Sequence, residues 1–447
     1  MRDQLLVHIY TSFELDMASK LVQSVLESPT SCILSDGLDE WSHPEQGRCS
    51  CPANMKGRTP VICQPHSAIT ITTSRPWRMT QCPPKESRVE KRIYIEGTGS
   101  VNRLGEKVVN ILNEGSENHV MFLEIEDYVQ EKDVSHLLTI PILLLQIVCL
   151  FFDGKEVSNS QSKIYASIFD MIMGRQLQRN TENQGGFLPK LRLFADKSNV
   201  LRYWTYFIEI AKLAFEKLFL QQGHSSVEFN SKTCHLDDEV KQFALKYALL
   251  SERKSKTLSS RSTTLSFIHK SFQEFLAAVH IGLHEELFEM VVEPRYSVHT
   301  FDYDVFQSYI SDISQVFVFM CDFNVNMAEK MSECMNTQVK CGNEMIDSRH
   351  LFYAGRANTL THLIKQGVIE ADRNGFENFR PHLYNIDSCM RTNQDHEIFN
   401  RLLEINKTRV LSVNVHYKFK RHNNVHLRYP SLTSYMCLKR LELCTFF

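Results

Sequence analysis

The chain has 447 residues, of which 43% are hydrophobic, 23% charged and 10% aromatic. That globular composition excludes disordered, collagen-like and coiled-coil proteins. Lys plus Arg number 50 against 52 Asp plus Glu, a formal net charge of −2, so no global basic field favours nucleic acid as a partner.

The 13 cysteines are odd in number and scattered along the chain. A chain long enough for about three or four domains builds its own cores, and the cysteines read as free thiols in a reducing compartment. Met1-Arg2-Asp3-Gln4 runs directly into an amphipathic pattern without the apolar core of a signal peptide. The longest apolar run, Ile140 to Phe152 interrupted by Gln146, is shorter than the ~20 residues a membrane span needs. A cytoplasmic protein with no membrane span is expected.

In chain order, Leu5, Ile9, Phe13, Met17, Leu21 and Val25 recur every fourth residue and predict one face of a helix ending before Ser28-Pro29. Cys32-Ile33-Leu34 predicts a buried strand that stops at Asp36-Gly37, and Ala68 to Thr73 a second that stops at Ser74-Arg75-Pro76. Arg92 to Glu96 predicts a third. Three such strands suggest a parallel α/β sheet, in which ligands gather beyond the carboxyl ends of the strands.

Beyond residue 100 the pattern turns helical. Leu104, Val108, Ile111 and Leu112 form a stripe; Ile142 to Phe152 is opened by Pro141, a good first-turn residue. Ile164 to Leu177, Trp204 to Leu220, Glu239 to Leu249 and Phe272 to Leu283 are further predicted helices, with a strand at Thr264 to Phe267. Helix, polar hairpin, strand and helix together fit a winged-helix module. Residues 300–405 carry weaker helical patterns, and 408–447 shift to alternating, strand-prone text.

Three constellations carry candidate chemistry. In Ile33-Leu34-Ser35-Asp36-Gly37-Leu38-Asp39-Glu40-Trp41, an apolar strand delivers a carboxylate to its end, as Mg²⁺-holding phosphate sites do, with two more acids placed to orient an attacking water. About thirty residues on, Thr70-Ile71-Thr72-Thr73-Ser74-Arg75-Pro76 ends a strand on a guanidinium suited to a terminal phosphate. In Phe267-Ile268-His269-Lys270-Ser271-Phe272-Gln273-Glu274-Phe275-Leu276-Ala277-Ala278 the aromatics read as core positions, and a histidine at such a place is most often structural.

Taken together and in this order, the chain resembles the NACHT family of signal-transducing NTPases, the nucleotide-binding part of NOD-like receptors. "ILSDGLDEW" resembles the extended Walker B strand, "TITTSRPW" sensor 1, "LLTIPILLLQIVCLFF" the first helical domain and "FIHKSFQEFLAA" the winged-helix signature. The resemblance covers about residues 1–290. It implies that Asp36 organises Mg²⁺ and that Asp39 and Glu40 are the catalytic or water-orienting acids. Arg75, with Ser74, would sense the γ-phosphate, Pro141 would pack by the adenine, and His269 would contact the β-phosphate in a closed, ADP-bound state.

One departure stands out: no G-x-x-x-x-G-K-[ST] phosphate cradle occurs in the 447 residues. By family order it would precede residue 1, so the chain reads as amino-terminally truncated, with an incomplete sheet and open edges. Thr139-Ile140-Pro141 also stands where many relatives have Gly-x-Pro.

Weaker signals are Cys49, Cys51, Cys63 and His66 as a zinc set, an ankyrin-like helix pair over Leu351 to Gly367, and an Asn406-Lys407-Thr408 glycosylation acceptor discounted without a signal peptide. The expected fold class is α/β plus mainly α: a partial P-loop NTPase-like sheet over 1–100, a helical lid over 101–155, a winged-helix domain over 156–290 and a second helical domain over 291–407. Residues 408–447 form a strand-like tail, read either as the start of leucine-rich repeats or as a cap. Two functions stand: an ATP/ADP-dependent signalling switch of innate immune or stress signalling, impaired in nucleotide binding, or a nucleotide-free module regulating full-length relatives. Both act through protein partners.

Overall fold

The computed structural model describes residues 32–35, 69–73, 93, 101–114, 119–174, 190–220, 228–230, 234, 236–254, 263–292, 303–341, 350–390, 393–418 and 440–446, with single residues between 17 and 30. It divides into two compact units, one of residues 1–95 and 216–270, the other of 96–215 and 271–447.

In the first unit, β1 (Cys32–Ser35) and β2 (Ile69–Thr72) pair in parallel, Cys32 opposite Ile69 and Ser35 opposite Thr72. The β-branched residues expected to make strands do so. Register places Cys32, Leu34, Ile69 and Ile71 on one face, yet Ile69 and Ile71 are 61% and 50% exposed. Met17 and Leu21, on the apolar face of the expected amino-terminal helix, are exposed as well. Of the third candidate strand only Ile93 is described, and it is neither in a strand nor buried.

The remaining helices and strands follow in chain order: α1 (Val101–Asn113), α2 (Phe122–Glu131), α3 (Pro141–Phe152), α4 (Gln161–Gly174), α5 (Ser198–Arg202), α6 (Trp204–Phe215), β3 (Glu228–Asn230), α7 (Asp238–Lys246), β4 (Leu250–Lys254), β5 (Thr263–Phe267) and α8 (Lys270–Leu283). A π-helical turn, Glu216–Leu220, follows α6. The three strands of this stretch form one antiparallel sheet in the order β3-β5-β4, with Phe229 packed on Phe267 at a ring-centroid distance of 5.8 Å.

The second unit has an aromatic core. Tyr165 and Phe169 of α4 stack on Phe275 of α8, with centroids 5.4 Å apart in each pair, while Phe194 meets Phe207 edge-on at 5.3 Å. Phe319 closes the cluster against Tyr165 and Phe275, each at 5.1 Å. Edge and offset contacts of this kind add to the burial of large rings. The aromatics of "FIHKSFQEFLAA" that lie on α8 are thus core residues, and α4, α6 and α8 pack with the helices that follow rather than as a separate body.

Those helices are α9 (Phe288–Val292), α10 (Tyr303–Phe323), α11 (Val325–Cys341) and α12 (His350–Arg373). The span read as an ankyrin-like pair is one continuous helix, α12. Its Gly367 lies where α12 crosses α10: a Cβ there would stand 2.6 Å from the Phe317 ring and 2.9 Å from Cys321 Sγ. The glycine marks a close crossing, not a turn.

The chain ends in β6 (Asn385–Met390), α13 (Asn393–Asn406), β7 (Ser412–Lys418) and β8 (Arg440–Phe446), the three strands forming a parallel sheet in that order. Asn385 pairs with Ser412, 27 residues on, and Ser412 with Arg440, a further 28. The segments Leu383-x-x-Ile386-x-Ser388, Val410-x-x-Val413-x-Val415 and Leu438-x-x-Leu441-x-Leu443 recur at that same spacing. Regular parallel strands at this stride are the geometry of a strand-plus-helix repeat. Its first strand, β6, lies inside the span expected to be helical. Ile386 is the one large aliphatic in β6, too little for a strand signal.

The approach to β6 is held by side chains. On α11, Glu329 Oε1 accepts from Arg380 N (2.7 Å), Ser332 Oγ from His382 N (2.8 Å) and Asn336 Oδ1 from Tyr384 N (3.1 Å). Residues spaced three and four apart on a helix thereby meet alternate residues of an extended strand. Asn406 of α13 accepts from Leu383 N at 3.0 Å and donates to Pro381 O at 3.1 Å. Asn406 is fully buried, so the glycosylation acceptor it begins is closed in the folded chain.

Candidate functional site

The parallel pairing of β1 and β2 sets their carboxyl ends, Ser35 and Thr72, side by side. This is the edge at which a doubly wound sheet presents ligand-binding groups. Asp36, Asp39, Glu40, Ser74 and Arg75 follow these strands and lie outside the described residues, as do Cys49, Cys51, Cys63 and His66.

Two expected site residues are described, one in each unit. Pro141 is the first residue of α3 and exposed, with extended Ile140 as N-cap. Its fixed φ and missing N–H suit that position, which explains Pro141 structurally without any ligand. His269 is half-buried between β5 and the first residue of α8, following Phe267, which is buried. Among the described residues no group of three or more His, Cys, Asp or Glu could hold a metal ion.

The second unit holds a polar cluster that sequence patterns did not single out. Glu370 of α12 sits at the amino terminus of α4 and accepts from Ser160 Oγ (2.7 Å), Gln161 N (3.0 Å) and Ser162 N (2.9 Å). A carboxylate there satisfies amides that have no intrahelical partner and complements the helix dipole. Asn374 donates to Ser160 Oγ at 3.1 Å and to Glu370 O at 2.9 Å. Next to it, Arg373 pairs with Asp133 at 2.5 Å, tying α12 to the turn after α2.

A second acid stands beside this cap. Asp322, near the end of α10, is pushed up to about 7 by burial first and by the Glu370 charge second, with Lys163 and the Ser162 hydroxyl opposing. The Ser162 hydroxyl approaches the carboxylate, yet neither Ser162 Oγ nor Asp322 Oδ2 completes a hydrogen bond among the described residues. Farther along α4, Asp170 caps α5 by accepting from Asn199 N (2.8 Å) and Val200 N (3.2 Å). At the end of α8, His280 lies against Phe215 and His284, and burial lowers it to about 4.

Glu370 and Asp170 serve as helix caps, and the Arg373–Asp133 pair joins α12 to the turn after α2. A scan against protein-family models finds no match. A search of curated proteins likewise returns no relative. No helix among the described residues is long and apolar enough to cross a membrane.

Proposed function

We propose that the chain is a signalling protein of NACHT architecture, acting in the cytoplasm through protein partners, with nucleotide handling impaired. The observation that carries this reading is the parallel, in-register pairing of β1 and β2, whose carboxyl ends lead into the Asp36-Gly37-Leu38-Asp39-Glu40 and Ser74-Arg75 segments. Supporting it are the antiparallel β3-β5-β4 order of a winged-helix sheet, with His269 just before α8, and the parallel strand repeat from β6 to β8, which we read as leucine-rich-type units.

In this reading Asp36 is the Mg²⁺-organising acid, Asp39 and Glu40 the water-orienting acids, Ser74 and Arg75 the γ-phosphate sensors, and Pro141 and His269 the adenine and β-phosphate contacts of an ATP/ADP switch. No lysine-bearing glycine turn supplies backbone donors to the phosphates. The alternative reading is a nucleotide-free module that binds full-length relatives. Equilibrium titration with fluorescent ADP and Mg²⁺ tests the choice. No saturable binding up to millimolar is expected, and saturable binding lost in Asp36→Ala and Arg75→Ala would restore the nucleotide switch.

A further inference from the structure

Two carboxylates meet one helix end in the second unit. Glu370 occupies the exposed amides of α4, bonding Ser160 Oγ, Gln161 N and Ser162 N. Asp322 lies on α10, which is tied to this helix end by Gln161 Nε2 donating to Gln315 Oε1 at 2.8 Å and meets α12 where Cys321 packs on Gly367; its Oδ2 and the fully buried Ser162 Oγ have no hydrogen-bond partner among the described residues. The cap thus has one anion more than its amides satisfy. A buried charge without a full set of partners is costly, and neutralisation relieves it.

We propose that Asp322 is a proton-operated joint between α10, α12 and the amino terminus of α4: protonated, it lets the three elements lock; ionised, it loosens the first turn of α4. The groups around it are Glu370 from α12, Lys163 and Ser162 from α4, and Cys321 on its own helix. Beyond Glu370 stand the Arg373–Asp133 pair and His136. Among the described residues, Lys163 is the cation that bears on Asp322, and it is outweighed by burial and by Glu370. A bound metal cation is disfavoured as the compensating charge, because a helix amino terminus carries the positive end of its dipole.

The sign follows from proton linkage. Asp322 holds its proton in the folded chain up to about pH 7 and sheds it near its ordinary value of about 3.9 when exposed. Between those values the closed joint binds one proton more than the open one, so the joint weakens as pH rises.

Hydrogen exchange of the full chain between pH 5 and 8, corrected for intrinsic base catalysis, reads this at the amides of residues 163–168. In the wild type the opening constant there should rise about tenfold per pH unit up to about pH 7 and then level off. In Asp322→Asn it should stay flat at the acid-side value, whereas amides of α8 should show the same profile in both chains. A wild-type profile that is flat, or an Asp322→Asn profile that keeps the slope, overturns the proposal. Should Asp322→Asn fail to fold, the wild-type profile decides alone.

Discussion

Asn336 and Asn406 grip the same short stretch of backbone from two helices. Asn336 accepts from Tyr384 N at 3.1 Å and donates to His382 O, while Asn406 accepts from Leu383 N at 3.0 Å and donates to Pro381 O at 3.1 Å. With Ser332 and Glu329 bonding His382 N and Arg380 N, each of the four backbone N–H groups between 380 and 384 has a side-chain partner, Pro381 having none to offer. Backbone buried outside a sheet needs that full satisfaction.

The grip predicts large, coupled losses. Asn406→Ala strands a buried N–H and a buried C=O and should cost about 2–4 kcal/mol in denaturant unfolding. Asn336→Ala should cost a similar amount, and the double variant less than the sum, since both act on one segment. A loss below about 0.5 kcal/mol for Asn406→Ala would contradict the assignment.

The crossing of α10 and α12 predicts intolerance to a single methyl. Gly367→Ala should destabilise by about 1–3 kcal/mol, because the new Cβ meets the Phe317 ring and Cys321 Sγ. Cys321→Ala, which removes the sulfur, should recover part of that loss in the double variant. Equal stability of Gly367→Ala and wild type would show that the helices stand farther apart.

His280 predicts an acid-side slope. Its folded value, lowered to about 4 mainly by burial and then by His284 and Lys212, lies below the ordinary 6.5. The unfolded chain therefore binds the extra proton first, and stability falls as pH drops from about 6.5 toward 4. The loss should reach about 2 kcal/mol and be absent in His280→Phe, which keeps the ring packing on Phe215. Parallel pH profiles of the two chains would remove His280 as the cause.

In the nucleotide-free reading no ATP turnover by these residues is expected. Phosphoryl transfer rests on positioning and electrostatics, and the acids after β1 have no phosphate cradle in this sequence to work against. ATP turnover by the 447-residue chain should equal the buffer blank. Turnover that disappears in Asp39→Ala with Glu40→Ala would reverse this conclusion.

Patterns in the sequence that depend on neighbouring residues were readable. Pro141 opens α3 as expected, Trp204 begins α6, and Thr264 to Phe267 lies within β5. Such elements announce themselves through 3.6- and 2-residue periods or a first-turn proline. What escaped depends on distant partners. β6 has almost no apolar alternation and is a strand because β7 pairs with it and Asn336 and Asn406 align its approach. Glu370 caps a helix some 210 residues earlier in the chain, a relation no local window contains. Of the candidate site, the strands that deliver it and the helix after His269 were readable, whereas Glu370 and Asp322 carried no motif.

The constant stride of the last sheet has a kinetic meaning. With Asn385 paired to Ser412 and Ser412 to Arg440, each strand closes a loop of nearly the same modest length, so no pairing needs a long chain search. Arrays of this kind propagate unit by unit from a nucleus. The stretch from Arg380 to Tyr384, held by α11 and α13, is the place where such a nucleus gains the most order at once. Folding of the carboxyl-terminal sheet should therefore be polarised, starting at β6 and adding β7 and then β8, so that substitutions at Asn336 slow folding while those in β8 mainly speed unfolding.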